Sequence, residues 1–204
     1  MNMRKSSNSL LRRVAFTIIL VIGAVFSASA SHYSGAVLTY TYIGPNQYEV
    51  RLEIYRDCNG IAVGGTQIVN YSSATCGVNA SLTLNVQSVT DITPLCPTAP
   101  SACGFGGSIG IELHVFTGIL TLPPGCNDWV LSTTSCCRNA AITNLSGASS
   151  QDIYIETHLD NSAGLFDNSP QFSSVPQFFG CVGQTINFQQ LAFDADGDSL
   201  VDSL

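Results

Sequence analysis

Residues 36–54 read AVLTYTYIGPNQYEVRLEI, and this stretch decides the fold class. Tyr48, Val50, Leu52 and Ile54 alternate with Gln47, Glu49, Arg51 and Glu53. A period of two places the apolar set on one face of a strand and the polar set on the other. The preceding run, residues 36–43, is β-branched and aromatic, which suits a pleated surface. Gly44-Pro45-Asn46 joins the two, so the stretch predicts an antiparallel hairpin.

The same pattern continues outward. Further strands are expected over residues 66–71, 81–89, 109–122, 129–134, 153–159 and 185–193. Turn clusters separate them at Asp57-Cys58-Asn59-Gly60, Leu122-Pro123-Pro124-Gly125 and residues 161–164. No window past residue 30 sustains a 3.6-residue apolar period. Many short, regularly punctuated strands predict an all-β protein built as a β-sandwich. Asp167-Asn168-Ser169-Pro170 reads as a boundary. Residues 31–167 supply the strands of one sandwich domain. Residues 168–204 are expected to open a second, incomplete sandwich, because two or three strands cannot enclose a core.

Toward the N-terminus, Arg4, Lys5, Arg12 and Arg13 precede the apolar run VAFTIILVIGAVF, residues 14–26, and then Ser27-Ala28-Ser29-Ala30. Basic start, short apolar middle and small-residue end predict a secretory signal helix over residues 1–30, cleaved after Ala30. The run falls short of the roughly 20 residues a spanning helix needs. No later stretch reaches that length, so secretion or display at the cell surface is expected. Beyond residue 30 only Arg51, Arg56 and Arg138 stand against fourteen acids, a net charge of −11. Such a surface repels nucleic acid and anionic membrane.

All eight cysteines lie past the signal: Cys58, Cys76, Cys96, Cys103, Cys126, Cys136, Cys137 and Cys181. An even count behind a signal peptide predicts disulfides, and the lack of a C-x-x-C weakens zinc and thiol-redox readings. On spacing, Cys96 pairs most easily with Cys103. The neighbours Cys136 and Cys137 are expected to reach separate partners, since a vicinal ring is strained.

Asp194-Ala195-Asp196-Gly197-Asp198 is the most specific local motif. Carboxylates at i, i+2 and i+4 around a glycine repel one another unless a hard cation neutralises them, which makes Asp194, Asp196 and Asp198 a candidate Ca2+ site. It is not an EF-hand, because Ser199 stands where that loop requires glycine. Gly106-Gly107-Ser108-Ile109-Gly110 matches G-x-S-x-G, but a cysteine-rich turn precedes it and a strand follows, so a glycine-rich turn is expected. Glu112-x-His114 and Glu156-x-His158 would offer four metal ligands if their strands were neighbours. The simpler reading is a polar, water-facing side, with Ile111, Leu113, Ile153 and Ile155 inward. Asn70, Asn79 and Asn144 open N-x-S sequons. Trp129 reads as core. Tyr40, Tyr42 and Tyr55 are candidates for an exposed aromatic row facing a carbohydrate.

Five blocks together carry a resemblance: Ser31-His32-Tyr33-Ser34-Gly35, YRDCNG at residues 55–60, CCRN at residues 136–139 followed by Ala141-Ile142-Thr143-Asn144, NSPQF at residues 168–172, and residues 194–200. With them, most of residues 31–204 resembles the N-terminal region of large secreted surface proteins of the Bacteroidetes. These are gliding-motility and type IX secretion-associated proteins with tandem PKD-like or cadherin-like domains. The resemblance implies a non-catalytic structural or adhesive role with further β-domains of the same polypeptide as partners. Surface glycans or other cell-surface proteins are the implied targets. It also implies Cys76 paired with Cys126, with Cys58 and Cys181 bridging to Cys136 and Cys137. The alternative reading is a carbohydrate- or ligand-binding module of an extracellular enzyme.

Overall fold

Seven strands form one antiparallel sheet: β1 (Tyr33–Gly44), β2 (Gln47–Asp57), β3 (Thr66–Ser73), β4 (Val78–Asp91), β5 (Ile111–Thr121), β6 (Trp129–Cys136) and β7 (Asp152–Leu159). Their order is β1-β2-β5-β4-β3-β6-β7. Two short strands, β8 (Gln171–Phe172) and β9 (Ala192–Phe193), pair as a separate ribbon. The structure, a computed structural model, describes residues 33–94, 99–104, 106–139, 142–162, 166–176, 183, 185 and 191–201. Among these no α-helix occurs. The chain is all-β. The expected signal helix, Cys96, Cys181 and most of the last expected strand lie outside the described residues.

Each of the seven main strands falls where alternation placed it. The first hairpin turns through Pro45 and Asn46, and Asn46 adopts φ 58°, a left-handed conformation that asparagine tolerates. β4 is the pivot of the sheet. Its first half pairs with β3 and its second half with β5, and a register shift between Val86 and Ser88 separates the two. A bulge of this kind bends a strand and increases its twist. On β5, one residue past the Asn85–Thr117 pair, stands Gly118, where a Cβ would lie 2.8 Å from Leu84 Cδ2 and 3.2 Å from the Thr83 carbonyl oxygen. Glycine therefore lets fully buried Leu84 fill the inner side of the fold.

One apolar cluster unites both halves. Leu38, Val50, Leu52 and Phe116 from β1, β2 and β5 pack with Val69, Leu84, Trp129, Leu131 and Leu159 from the other strands. Trp129 is core, as read from the sequence. The register corrects two other readings. Ile54 pairs with His114 and Leu52 with Phe116, so the core face of β2 carries the even positions of β5 inward. His114 is consequently buried at 6 % exposure, not turned to water. Ile111 and Val115 are also buried, beside Tyr55, so this part of β5 is covered on both faces. Tyr40 and Tyr55 are 2 % and 4 % exposed, and Tyr42 packs edge-on against Tyr48 with ring centroids 5.7 Å apart. They form no exposed aromatic row, because two of the three belong to the face of β1 that supplies the core.

Candidate functional site

The sequence blocks gather at two opposite ends of the sheet. At one end Tyr33 pairs with Arg56 across β1 and β2 and bridges to Arg138. The Arg56 side chain is 11 % exposed, and its guanidinium is satisfied on every side. Nη1 donates to Glu112 Oε2 at 2.7 Å, Nε to the Ile61 carbonyl at 2.7 Å, and Nη2 to the carbonyls of Gly60 and Cys58 at 2.5 and 3.3 Å. Glu112 Oε2 also lies 3.0 Å from His114 Nε2. Asp57 accepts from the Asn59 backbone N–H at 2.9 Å and from Asn139 Nδ2 at 2.9 Å. YRDCNG and CCRN, distant in sequence, thus meet through Asp57 and Asn139.

The cystines correct the spacing argument. Cys103 joins Cys58, with Cα atoms 5.0 Å apart, and not Cys96. The segment before β5 docks on the end of β2, where Cys58 N–H donates to the Gly110 carbonyl at 2.9 Å. A Cβ on Gly110 would meet Cys103 Sγ at 2.7 Å. Cys76 joins Cys126. Cys136 joins Cys137 instead of two separate partners. β6 ends at Cys136, so strand alternation no longer sends the two side chains to opposite faces. Cys58, Cys103 and Glu112 bring their ligand atoms within 4.8 Å of one another. The two sulfurs there are bonded to each other and Glu112 is paired with Arg56, so these groups are already committed. In the G-x-S-x-G stretch, Ser108 is exposed and its carbonyl accepts from Asn59 Nδ2 at 3.2 Å, while β5 starts at Ile111 with no helix following. It is a turn.

At the other end the Tyr40 hydroxyl lies 2.6 Å from Asp167 Oδ2 and 2.8 Å from the His158 carbonyl oxygen. One phenolic proton cannot serve both. With a proton on Asp167, the carboxyl donates to Tyr40 and Tyr40 donates to His158. Burial pushes the Asp167 carboxyl up; the Tyr40 and Asp160 hydrogen bonds pull it down, and the charges of Asp196 and Asp198 raise it further. The net direction is upward. Burial likewise pushes the Tyr48 phenol up to about 12, with Asp167 adding to the effect.

The aspartate triplet sits beside this group. Asp194 Oδ1 accepts the backbone N–H of Asp196 at 2.8 Å and of Asp198 at 3.2 Å. Asp196 accepts both donors of Asn168, N at 2.7 Å and Nδ2 at 2.8 Å. Asn168 Oδ1 in turn accepts from Tyr42 N, and Ser169 exchanges bonds with the Tyr40 backbone. NSPQF and the triplet therefore meet on the edge of β1, and the carboxylates of Asp194 and Asp196 are engaged with backbone and Asn168 donors, while Asp198 joins through its backbone N–H.

Asn161, read from sequence only as part of a turn, proves central. Its Oδ1 accepts from Trp129 Nε1 and Cys126 N, both at 3.1 Å, and its Nδ2 donates to the Pro123 carbonyl at 2.8 Å. A buried indole needs an acceptor, and that requirement was the available signal. The two Glu-x-His pairs do not converge, since β4, β3 and β6 separate β5 from β7. Glu156 and His158 are exposed. Tyr154 and His158, by hydrogen bonding to Glu156, hold its carboxyl below the usual range. All three sequon asparagines are exposed.

A third feature lies beside the vicinal cystine. Arg138, Ile142, Asn144, Leu145, Gln151 and Asp152 line a cleft of about 390 Å³. Arg138 is oriented by its backbone N–H, which donates to the Gln151 carbonyl at 3.0 Å, and by Nε, which donates to the Asp152 carbonyl at 3.1 Å. Comparison with known protein families, with curated proteins and with solved structures finds no match.

Proposed function

We propose that the chain is the N-terminal part of a secreted, non-catalytic surface protein whose job is structural display or adhesion. In this reading the seven-stranded sheet is a β-sandwich, folded over at β4, and residues 168–204 begin a further Ig-like or cadherin-like unit. The carrying observation is how the sequence's most distinctive polar residues are used. Arg56 braces the turn after β2, Asp57 ties it to Asn139, and Asn168 ties β1 to Asp196. These groups are spent on fixing the two ends of the sheet, which is what a link in a row of domains requires. Three cystines support an oxidising compartment. The exposed Phe172, Leu191 and Phe193 on the ribbon support a further β-domain packed against it. Calcium at Asp194, Asp196 and Asp198 would offset the charge at that junction.

The test is protease shaving of intact cells that express the full chain, followed by identification of the released peptides and thiol labelling. Release of peptides from residues 33–201, with few labelled cysteines, is expected. Protected, fully labelled protein inside the cell overturns the reading.

A further inference from the structure

We propose that the Arg138 cleft binds an acidic saccharide, with a uronate carboxylate seated on the guanidinium of Arg138. Arg138 differs from the other two arginines of the exported part. Arg51 is paired with Glu53 and Arg56 with Glu112, both at 2.7 Å. Among the described residues Arg138 has no acidic partner, and its Nη1 and Nη2 meet no acceptor. Its Nε is held by a backbone carbonyl, which fixes the plane of the group and leaves the two-nitrogen edge available. That edge matches a carboxylate in the two-bond manner that makes arginine the preferred partner of planar oxyanions.

The remaining walls narrow the class. Asn144, Gln151 and Asp152 are exposed, and among the described residues their side chains have no hydrogen-bond partner. Two amides and a carboxylate together donate to and accept from a row of hydroxyl groups. Ile142 and Leu145 offer an apolar wall to the C–H face of a sugar ring. The Asp152 carboxylate and the net charge of −11 past residue 30 oppose ligands of higher negative charge, such as sulfated chains, while hydroxyl groups donating to Asp152 are favoured. A single carboxylate surrounded by hydroxyls satisfies every wall. The volume lies within the roughly 300–1,000 Å³ of small-ligand sites. The vicinal cystine Cys136–Cys137 stiffens the segment that carries Arg138.

This inference deepens the display reading and rests on it only in requiring the cleft to face the medium. The experiment is calorimetric titration of the full chain with a trimer of one galacturonate and two galactose units, with the neutral galactose trimer and with the fully sulfated galactose trimer at equal ionic strength. Saturable binding of the uronate is expected, with the neutral and sulfated trimers at least about tenfold weaker, the scale of a charge-assisted pair. Arg138→Gln should weaken uronate binding at least about tenfold, and Arg138→Lys should recover only part of it. Should Arg138→Gln shift the melting curve, Asn144→Ala, which removes an unpartnered exposed side chain, carries the test with a severalfold loss. Equal binding of the neutral trimer, no binding of the uronate, or unchanged affinity in both variants overturns the proposal. Because shaving of cells reports display separately, a displayed protein that ignores uronate sinks the cleft alone.

Discussion

The two ends of the sheet solve the same problem with different chemistry. At the Arg56 end, Glu112 is neutralised by a part-buried cation, and a cystine locks the neighbouring turn. At the Asp167 end, about seven residues or roughly 23 Å further along β1, carboxylates are held by a phenol, an asparagine and backbone N–H groups. Among the described residues no arginine reaches them. The first arrangement joins opposite charges directly and has its turn closed by a cystine. The second sets its carboxylates on neutral and backbone donors and depends on where its protons and counter-ions are, with the Cys76–Cys126 cystine beside it at Asn161. Sensitivity to protons therefore concentrates at the second end.

The largest expected effect tests the cation. Arg56→Met leaves Glu112 and three carbonyls without their donor, so urea unfolding should show a loss of about 3–4 kcal/mol, typical of breaking a buried pair. A loss below about 1 kcal/mol would erase the distinction between the ends. Next comes the cystine. The double variant Cys58→Ser/Cys103→Ser should cost about 2–4 kcal/mol, and parent protein in reductant should open at residues 57–61 first, read by hydrogen exchange. Opening first at Asn168 instead would reverse the comparison.

Smaller effects belong to the carboxylate end. Tyr40→Phe should cost about 1–2 kcal/mol, the scale of a hydrogen bond to a charged or buried acceptor. Asp167 holds its proton more tightly folded than unfolded, so its contribution is complete below the ordinary carboxylate range. It is lost as pH rises through the higher folded value. Asp167→Asn should flatten that part of the stability profile relative to the parent. Identical profiles for Asp167→Asn and parent would remove the proton from the account. Last, millimolar calcium should raise stability by about 1 kcal/mol if affinity is in the 10⁻⁴–10⁻³ M range of extracellular modules. An Asp196→Asn/Asp198→Asn double variant should lose the gain. Equal melting shifts in parent and variant would leave the triplet an acidic turn held by Asn168.

The strands were legible because alternation is local: residues 47–54 state their two faces without help from the rest of the chain. What alternation leaves open is which face another layer covers. Tyr40 and Tyr55 looked equally available in sequence, yet both are buried. Likewise, the inward turn of His114 follows from its pairing with Ile54, a partner supplied by a distant strand. The cystines were harder still. Cys58 and Cys103 meet only because the segment before β5 docks on β2, and no spacing rule encodes that docking. At the site level, the five blocks were visible as motifs, but their meeting at opposite ends, three at one and two at the other, was not. Asp57 finds Asn139, and Asn168 finds Asp196, across separations of 82 and 28 residues.

The way Ser169 returns to β1 has a mechanical consequence. Ser169 donates its N–H to the Tyr40 carbonyl at 3.1 Å and accepts from Tyr40 N through Oγ at 2.8 Å, while Asn168 holds Tyr42. A pull applied between Tyr33 and Ser169 is therefore carried by the stretch of β1 from Tyr33 to Tyr40 and this short clasp. All of the chain between Tyr42 and Asn168 lies off the load path. While the clasp holds, tension passes along one strand and the core bears none of it; when it parts, the whole sheet enters the line of force at once.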